Sequence, residues 1–158
     1  MSEKRGIQTT DEGQPNEDFV LVQPGLFDYP LKEGEKPFLL AARCSKCNAV
    51  FFPARTRCRH CGANDVMEEV RLPGRGVVYA STVVHVDSPS GIKAPYAFGY
   101  VDVPAEGVRV FALFTGCDPA LIRPGQEVEL VIEPIRTSHE QKQVIGYKYK
   151  PVRERVSQ

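Results

Sequence analysis

A mainly β fold is predicted for this chain of 158 residues, and three features of the sequence predict it. Two C-x-x-C pairs, separated by ten residues, indicate a small metal-binding ribbon. Short runs of β-branched and aromatic residues, bounded by Pro and Gly, follow from residue 74 onward and indicate strands. Prolines interrupt the apolar segment before the cysteines, so no long helix is expected there. We therefore divide the chain into an extended N-terminal arm (1–40), a rubredoxin-like zinc ribbon (41–67), a five-stranded barrel (68–152) and a tail (153–158).

The N-terminal arm has two halves of different character. Residues 1–18 are polar, without apolar periodicity, and are predicted to be flexible. The half from Phe19 to Leu40 carries many large apolar side chains but is broken by Pro24, Pro30 and Pro37, which leaves extended or one-turn pieces. Such a segment has no core of its own. It either packs over the zinc module or lies on a partner.

The cysteines of the two pairs are the candidate metal ligands. Four thiolates are the soft donor set that a tetrahedral structural zinc takes, and two paired turns are the usual way to supply them. Iron at the same four cysteines is chemically possible. A pair of disulfides is the other interpretation, which a reducing compartment disfavours. We predict one structural Zn²⁺ per chain, bound by Cys44, Cys47, Cys58 and Cys61.

The residues around the cysteines suit a metal site. Asn48 and Gly62 directly follow the second cysteine of each pair, where the chain must turn back, and they are the residue types that best tolerate a positive φ. A zinc ion with four thiolates carries a formal charge of about −2. From residue 43 to 61 there is no acid to add to that charge, and there are five bases to offset it: Arg43, Lys46, Arg55, Arg57 and Arg59.

The region after the ribbon is predicted to form a small closed barrel of the OB type. Asp118 and Pro119 indicate one capped helical turn between the third and fourth strands, and a polar loop from Arg136 to Gln143 precedes the fifth. The alternation around residues 127–133 is typical of a half-buried strand. The five strands are expected near 75–86, 96–103, 108–115, 127–133 and 144–150. The expected core consists of Val128, Leu130, Ile132, Phe98, Val110 and Tyr79.

Composition limits the classes of function. Hydrophobic residues make up 42% and charged residues 25%, as in an ordinary globular protein, and the net charge of zero argues against a surface built wholly for nucleic acid or anionic lipid. No run approaches the roughly 18 apolar residues of a membrane span. The N-terminus lacks the apolar stretch of a signal peptide. A cytoplasmic protein without a membrane segment is therefore expected.

The order of zinc ribbon and barrel, together with several short motifs, resembles the DUF35 family of zinc-ribbon and OB-fold proteins. The resemblance runs from about residue 39 to 151. Members of this family usually begin with an amphipathic helix bearing Phe-Trp, whereas this chain has no Trp and a proline-broken arm. The motifs that carry the resemblance are the two cysteine pairs with Phe52-Pro53-Ala54-Arg55 between them, Pro73-Gly74-Arg75-Gly76-Val77-Val78-Tyr79, Ala94-Pro95-Tyr96, and Gly116-Cys117-Asp118-Pro119 followed by Pro124-Gly125.

The resemblance implies a small accessory subunit of a thiolase-superfamily enzyme in acyl-CoA metabolism. Members pair with thiolases, with HMG-CoA synthase, or with hydratases and aldolases that act on steroid side chains. The chain is also similar to the small subunits of benzylsuccinyl-CoA thiolases, from anaerobic degradation of aromatic compounds. A hetero-oligomer is thus expected, in which this chain is a scaffold or a wall of the substrate channel and the partner holds most of the coenzyme A.

Several residues have competing interpretations. Arg55, Arg57 and Arg59 could bind the phosphates of coenzyme A, or only offset the charge of the zinc site. Cys117 could be an acyl-accepting nucleophile, but no His lies near it in sequence. An unreactive, partly buried thiol is therefore the favoured interpretation. His85, beside Asp87, could be a general base but is favoured as a surface or packing residue. We therefore predict no catalytic residue in this chain alone.

Single-stranded nucleic acid is the alternative ligand, since zinc ribbons and OB barrels also occur in nucleic-acid-binding proteins. Tyr96, Phe98 and Tyr100 alternate along one strand and could stack on bases. The opposite side of that strand carries only Ala97, Gly99 and Val101, so the larger set is predicted to face the core. Between Gly62 and Ile135 there are ten acids and five bases, which disfavours a positive groove. Nucleic-acid binding is accordingly the less favoured prediction.

Overall fold

The computed structural model describes residues 18–152. The predicted flexible half of the arm, apart from Asp18, and the predicted tail lie outside the described residues. Within residues 18–152 no helix is long and apolar enough to cross a membrane. The strands of this part of the chain are β1 (Phe19–Leu21), β2 (Leu39–Cys44), β3 (Val50–Phe51), β4 (Met67–Leu72), β5 (Arg75–Val84), β6 (Tyr96–Val103), β7 (Val108–Phe114), β8 (Glu127–Thr137) and β9 (Gln143–Pro151).

Five of these strands close into a barrel, as predicted. The order β9-β7-β6-β5-β8 is completed by pairing of β8 with β9. All neighbours are antiparallel except β7 and β9, which run parallel through Leu113–Lys148 and Phe114–Tyr149. This order is that of an OB fold. The predicted helical turn is present at Pro119–Leu121, and the Asp118 carboxylate accepts a hydrogen bond from the Ala120 N–H at 2.9 Å.

A second, three-stranded sheet of order β3-β2-β4 carries the ribbon. Its strand β2 pairs with β4 over its full length, from Leu39 opposite Leu72 to Cys44 opposite Met67. Leu39, Ala41 and Leu72 are buried in the same cluster as the barrel residues. The Arg43 guanidinium also pairs with the carboxylate of Glu106, in the turn between β6 and β7. Ribbon and barrel therefore share one core.

The apolar half of the arm packs on its own chain. Strand β1 pairs in parallel with β9, and Phe27 forms a bridge to Leu39. Leu26 and Phe27 are buried, with 7% and 3% of their surface exposed. Of the two interpretations left open for this segment, packing on its own chain therefore holds for these two residues, which lie in the core shared by ribbon and barrel.

The predicted core is confirmed in part. Val110, Val128 and Leu130 are buried, and Ile132 packs against the cluster they form. Phe98 is only half-buried and Tyr79 is 53% exposed, so the prediction that these two rings fill the barrel is wrong.

Glycine on β6 explains why the rings of that strand point outward. The residues of β6 that face inward are Ala97, Gly99, Val101 and Val103, all of them buried. A Cβ atom at position 99 would overlap the carbonyl oxygen of Ala80, where β5 bulges between Val78 and Ala80. The close approach of the two strands leaves no room for a ring on the inner side. The interior is filled instead by larger groups from other strands, Tyr149 among them.

Strand β8 is longer than predicted. It continues past a register shift between Pro134 and Arg136 and ends at Thr137, so the turn to β9 begins at Ser138. The loop predicted from Arg136 to Gln143 is therefore too long by two residues at its start, because a bulge allows a strand to accommodate Pro134. Arg136 is therefore a residue of β8, paired with Val144.

Candidate functional site

Two tight turns present the four cysteines of the ribbon. Strand β2 ends at Cys44, and the Asn48 N–H donates to the Cys44 carbonyl at 2.8 Å. The second turn repeats this bond, from the Gly62 N–H to the Cys58 carbonyl at 3.0 Å. Asn48 has a φ of 61° and Gly62 a φ of 76°, which confirms the positive φ predicted at both positions. The backbone thus turns each pair of thiols toward the other.

The four sulfur atoms are positioned for metal binding. All lie within 4.8 Å of one another, and the Sγ–Sγ distances are 3.7 Å for Cys44–Cys61 and 3.5 Å for Cys47–Cys58. Tetrahedral zinc with Zn–S bonds of about 2.3 Å requires Sγ–Sγ distances of about 3.8 Å. The arrangement therefore fits a tetrahedral ion with four thiolate ligands.

Backbone N–H groups prepare one thiol for a metal. The Cys61 N–H donates to the Cys58 sulfur at 3.4 Å. This hydrogen bond, together with one from the backbone N–H of His60, lowers the pKa of the Cys58 thiol to about 6. The His60 side chain is exposed, and the cluster of possible ligands found in the described part of the chain consists of the cysteines alone. The candidate ligand set in residues 18–152 is therefore four thiols.

The three arginines proposed for coenzyme A lie on the surface of the ribbon. Arg55, Arg57 and Arg59 are exposed and line an open hollow of about 630 Å³ that also reaches Cys58 and Gly62. Arg57 is fixed by a bond from its Nε to the Gly62 carbonyl oxygen at 3.2 Å. The structure brings the three side chains to one hollow beside the metal ligands. A role in phosphate binding stays a prediction.

Cys117 lies in a groove at one end of the barrel that the sequence analysis missed. The groove has a volume of about 820 Å³, and its basic residues are Lys93, Arg136 and Lys148. Lys148 is paired with Glu133 at 3.1 Å and Lys93 with Asp87 at 3.1 Å. These residues come from separate strands and loops, so only the closed barrel brings them together. No regular spacing in the sequence identifies the residues that line this groove.

The Cys117 thiol is poorly placed for nucleophilic attack. Burial, and then the nearby Asp118 carboxylate, raise the pKa of the Cys117 thiol above its usual value. No histidine, aspartate or glutamate is among the described residues that line its groove. His60, His85 and His139 are all exposed. None of these three histidines is among the residues that line the groove.

Aromatic side chains cover the outer surface of β6 and β7. The Phe111 ring lies 5.7 Å from that of Tyr100 and 5.4 Å from that of Phe98, centroid to centroid. The Arg109 guanidinium lies 3.3 Å over the Tyr79 ring. The prediction that the aromatic set of β6 faces the core is wrong. Gly99 on the opposite side was the signal that could have corrected it.

Two models of protein domains match the chain in succession. The model described as the rubredoxin-like zinc ribbon domain of ChsH2 matches residues 33–66. The model described as the C-terminal OB-fold domain of ChsH2 matches residues 69–133. Both agree with the sheets seen here.

Relatives with similar sequences cover three quarters or more of the chain. The benzoylsuccinyl-CoA thiolase subunit BbsA of Geobacter metallireducens is 35% identical over 90% of this chain and 92% of its own length. A DUF35 domain-containing scaffold protein of Methanocaldococcus jannaschii is 34% identical over 75% of this chain and 84% of its own. Among solved structures, the Ltp2-ChsH2(DUF35) aldolase has a similar chain, with a TM-score of 0.59, 26% identity, and coverage of 72% of this chain and 84% of that one.

Proposed function

Because the chain belongs to the DUF35 family of zinc-ribbon and OB-fold proteins, we propose that it is a non-catalytic, zinc-binding subunit of a thiolase-superfamily enzyme that acts on acyl-CoA. In this role it forms a hetero-oligomer with a thiolase-like catalytic subunit and serves as scaffold and as part of the substrate site or channel. The reaction is thiolytic cleavage of a 3-oxoacyl-CoA, of the benzoylsuccinyl-CoA type named for two of its relatives.

The observation that carries the proposal is the closed set of four thiols. A catalytic zinc keeps one coordination position open for water or substrate, whereas a structural zinc takes all its ligands from the protein. Cys44, Cys47, Cys58 and Cys61 supply four donors at tetrahedral spacing. We propose that they bind a structural Zn²⁺. A site that depends on reduced thiols also favours a cytoplasmic location.

A second line of support is the setting of the remaining cysteine. Thiolytic cleavage requires a nucleophilic thiolate, an acid–base group and an oxyanion hole that converge on one thioester. The raised pKa of the Cys117 thiol and the lack of a histidine or carboxylate in the described lining of its groove do not suit such a nucleophile. We place the catalytic groups in the partner. The partner also provides most of the coenzyme A contacts, to which Arg55, Arg57 and Arg59 could add phosphate contacts.

The test is a comparison of the isolated chain with its complex. The tagged chain is purified from its source with its catalytic subunit, and thiolysis of a 3-oxoacyl-CoA by free CoA is followed for chain, partner and complex. We expect no turnover from the chain alone, and we expect the complex with Cys117→Ser to keep nearly full turnover. Turnover by the isolated chain that is lost with Cys117→Ser would show that this chain is the enzyme.

The same assay can locate the contribution of the ribbon arginines. Replacing Arg55, Arg57 and Arg59 by Gln should raise the KM for CoA if they bind its phosphates, while leaving the metal content unchanged. Unchanged kinetics would assign them to the neutralisation of the metal site alone.

One observation favours a second candidate function. The aromatic side chains of β6 and β7 are exposed, and the corresponding second and third strands of OB folds bind oligonucleotides in other proteins. Binding of a fluorescent single-stranded oligonucleotide, measured at several salt concentrations, distinguishes this candidate, because phosphate contacts make the affinity fall steeply with salt. The excess of acidic residues in the barrel weighs against it.

A further inference from the structure

We propose that the outer surface of β6 and β7 is the surface on which the catalytic subunit docks. This inference rests on the proposed function and adds the place of contact. We call this surface, together with Tyr79 of the neighbouring strand β5, the aromatic face and define it as Tyr79, Phe98, Tyr100, Arg109 and Phe111.

The aromatic face exposes large apolar groups side by side. Tyr79, Tyr100 and Phe111 are 53%, 46% and 49% exposed. With about 200 Å² for each ring, they leave roughly 300 Å² open to water, which is the size of the largest apolar patches on ordinary monomers. In residues 18–152 the other large exposed apolar residues are Val22, Val86 and Leu121, which lie on three separate segments. The aromatic face is therefore the place where exposed apolar surface is concentrated.

Contacts within the chain support the side chains of the aromatic face. Two hydrogen bonds, of 2.6 and 3.1 Å, join the Arg109 guanidinium to the Asp102 carboxylate and lower the pKa of Asp102. The central carbon of the guanidinium in turn lies 3.3 Å from the centroid of the Tyr79 ring. The Tyr100 and Phe111 rings meet edge to face at an interplanar angle of 72°. Side chains that are already ordered lose little conformational entropy on binding, which favours association.

The backbone beneath the face is built for this exposure. The bulge in β5 between Val78 and Ala80 places Tyr79 at the surface, since a bulge re-aims the side chain of the extra residue. The Tyr147 hydroxyl donates to the Phe111 carbonyl oxygen at 2.6 Å and fixes β7 at the same level. The glycine at position 99 allows the strands to approach. The exposed rings are therefore a product of how the barrel closes, not of a loose surface strand.

Charge and residue type identify the partner as a protein surface that is apolar at its centre. Arg109 is the one cation of the aromatic face, and Asp102 neutralises it. The barrel around the face has ten acids and five bases between residues 62 and 135, which repels a polyanion. Tyrosine, phenylalanine and arginine are enriched in protein interfaces, whereas lysine and glutamate are depleted. The tyrosine hydroxyls would meet hydrogen-bond acceptors at the rim of the partner's apolar patch.

The extent of the face sets its role within the interface. A stable interface buries about 800 Å² on each side, with the binding energy concentrated in a few central residues. The exposed rings supply less than half of that area. They therefore form the centre of a larger contact, in which single substitutions are expected to have large effects.

The test uses the full chain and the catalytic subunit purified from the same source. We expect Tyr100→Ser and Phe111→Ser each to raise the Kd for the catalytic subunit about 30-fold or more, the scale of a central interface residue. Val86→Ser and Leu121→Ser are the controls, because they remove apolar side chains elsewhere that are even more exposed, and they should leave the Kd within about 3-fold. Circular dichroism and zinc content establish that each variant is folded.

Several outcomes would overturn the proposal. Wild-type affinity in folded Tyr100→Ser and Phe111→Ser proteins places the docking surface elsewhere, while the proposed function stands because the complex forms. A wild-type chain that binds no thiolase-like subunit removes the proposed function itself. A second copy is the occupant if wild type self-associates in sedimentation and Phe111→Ser does not. An oligonucleotide is the occupant if a labelled single strand binds the wild-type chain and this binding is lost with Tyr100→Ser.

Discussion

At the scale of single residues, the four proposed metal ligands have the most direct consequences. Cys44 and Cys58 are fully buried, whereas Cys61 is exposed. All four sulfur atoms lie within 4.8 Å of one another. Since a ribbon of this size has little apolar surface to bury, the free energy of metal binding is part of its folding free energy. Loss of one ligand should therefore be felt in both metal content and stability.

Cys58→Ser should abolish stoichiometric zinc binding. A serine hydroxyl is a poor replacement for a thiolate that two backbone N–H groups stabilise. Elemental analysis of the purified protein should give about one zinc per chain for wild type and much less for the variant, with reduced solubility. Cys117→Ser is the control, because it removes a thiol far from the metal in sequence and should retain the zinc. Equal zinc in both variants would contradict the ligand assignment.

At the scale of elements, the pairing of β5 with β6 decides which side chains are inside. The register shift between Val78 and Ala80 brings the Ala80 carbonyl close to the backbone of position 99. Only glycine fits there without a backbone shift. The orientation of the whole aromatic face therefore depends on one small residue on the inner side of β6.

Gly99→Ala should destabilise the protein by about 2–3 kcal/mol, the scale of an overpacked core. Its methyl group would overlap the Ala80 carbonyl oxygen, so β5 and β6 would have to separate. Urea unfolding followed by circular dichroism measures the change. Gly74→Ala serves as the control: its methyl group would meet Pro37 at 3.5 Å and Leu130 at 3.7 Å, which is ordinary contact. Equal stability of the two variants would mean that the bulge is absent.

The arm is a second element whose role depends on the rest of the fold. Phe27→Ala should lower the free energy of unfolding of the isolated chain by about 3–5 kcal/mol, since this ring is 3% exposed in the shared core. Val22→Ala, at a residue that is 41% exposed, should change it by less than about 0.5 kcal/mol. Thermal and urea unfolding measure both. A Phe27→Ala chain that is fully stable alone but fails to assemble would instead assign the arm to the partner.

At the scale of the whole molecule, ribbon and barrel share one buried core, so we expect them to unfold as one cooperative unit. Leu39, Ala41 and Leu72 of the ribbon sheet belong to the same buried cluster as Val101 and Tyr149 of the barrel. The Phe52 ring, in the linker between the cysteine pairs, lies 5.7 Å from the Tyr147 ring of β9. A disturbance at the metal should thus reach the barrel.

Removal of zinc by a chelator should shift a single unfolding transition to lower temperature. Loss of several kcal/mol of metal-binding free energy corresponds to a drop in Tm of roughly 10 °C or more for a protein of this size. Circular dichroism and intrinsic tyrosine fluorescence should report the same transition before and after chelation. Two separate transitions, with the later one at the original Tm, would show that the barrel folds independently of the ribbon.

The sequence by itself determined the parts of this protein that depend on local chemistry. Cysteine spacing predicted the cluster of four thiols, Asn48 and Gly62 predicted its turns, and runs of β-branched residues predicted the five barrel strands within a few residues. Each of these features is set by neighbours in the chain. The resemblance to the DUF35 family added the expectation of a partner, which the named relatives support.

Only the tertiary structure decided which way the strands face and where the arm lies. Alternation along β6 separates two sets of side chains but does not say which set is inside, and the volume left by barrel closure placed the smaller set there. The arm had two possible sites in the sequence analysis, and burial of Leu26 and Phe27 places it on its own chain. The groove around Cys117 joins residues from distant segments. These features depend on long-range packing, which is set by the volume available in the folded protein and not by the separation of residues along the sequence.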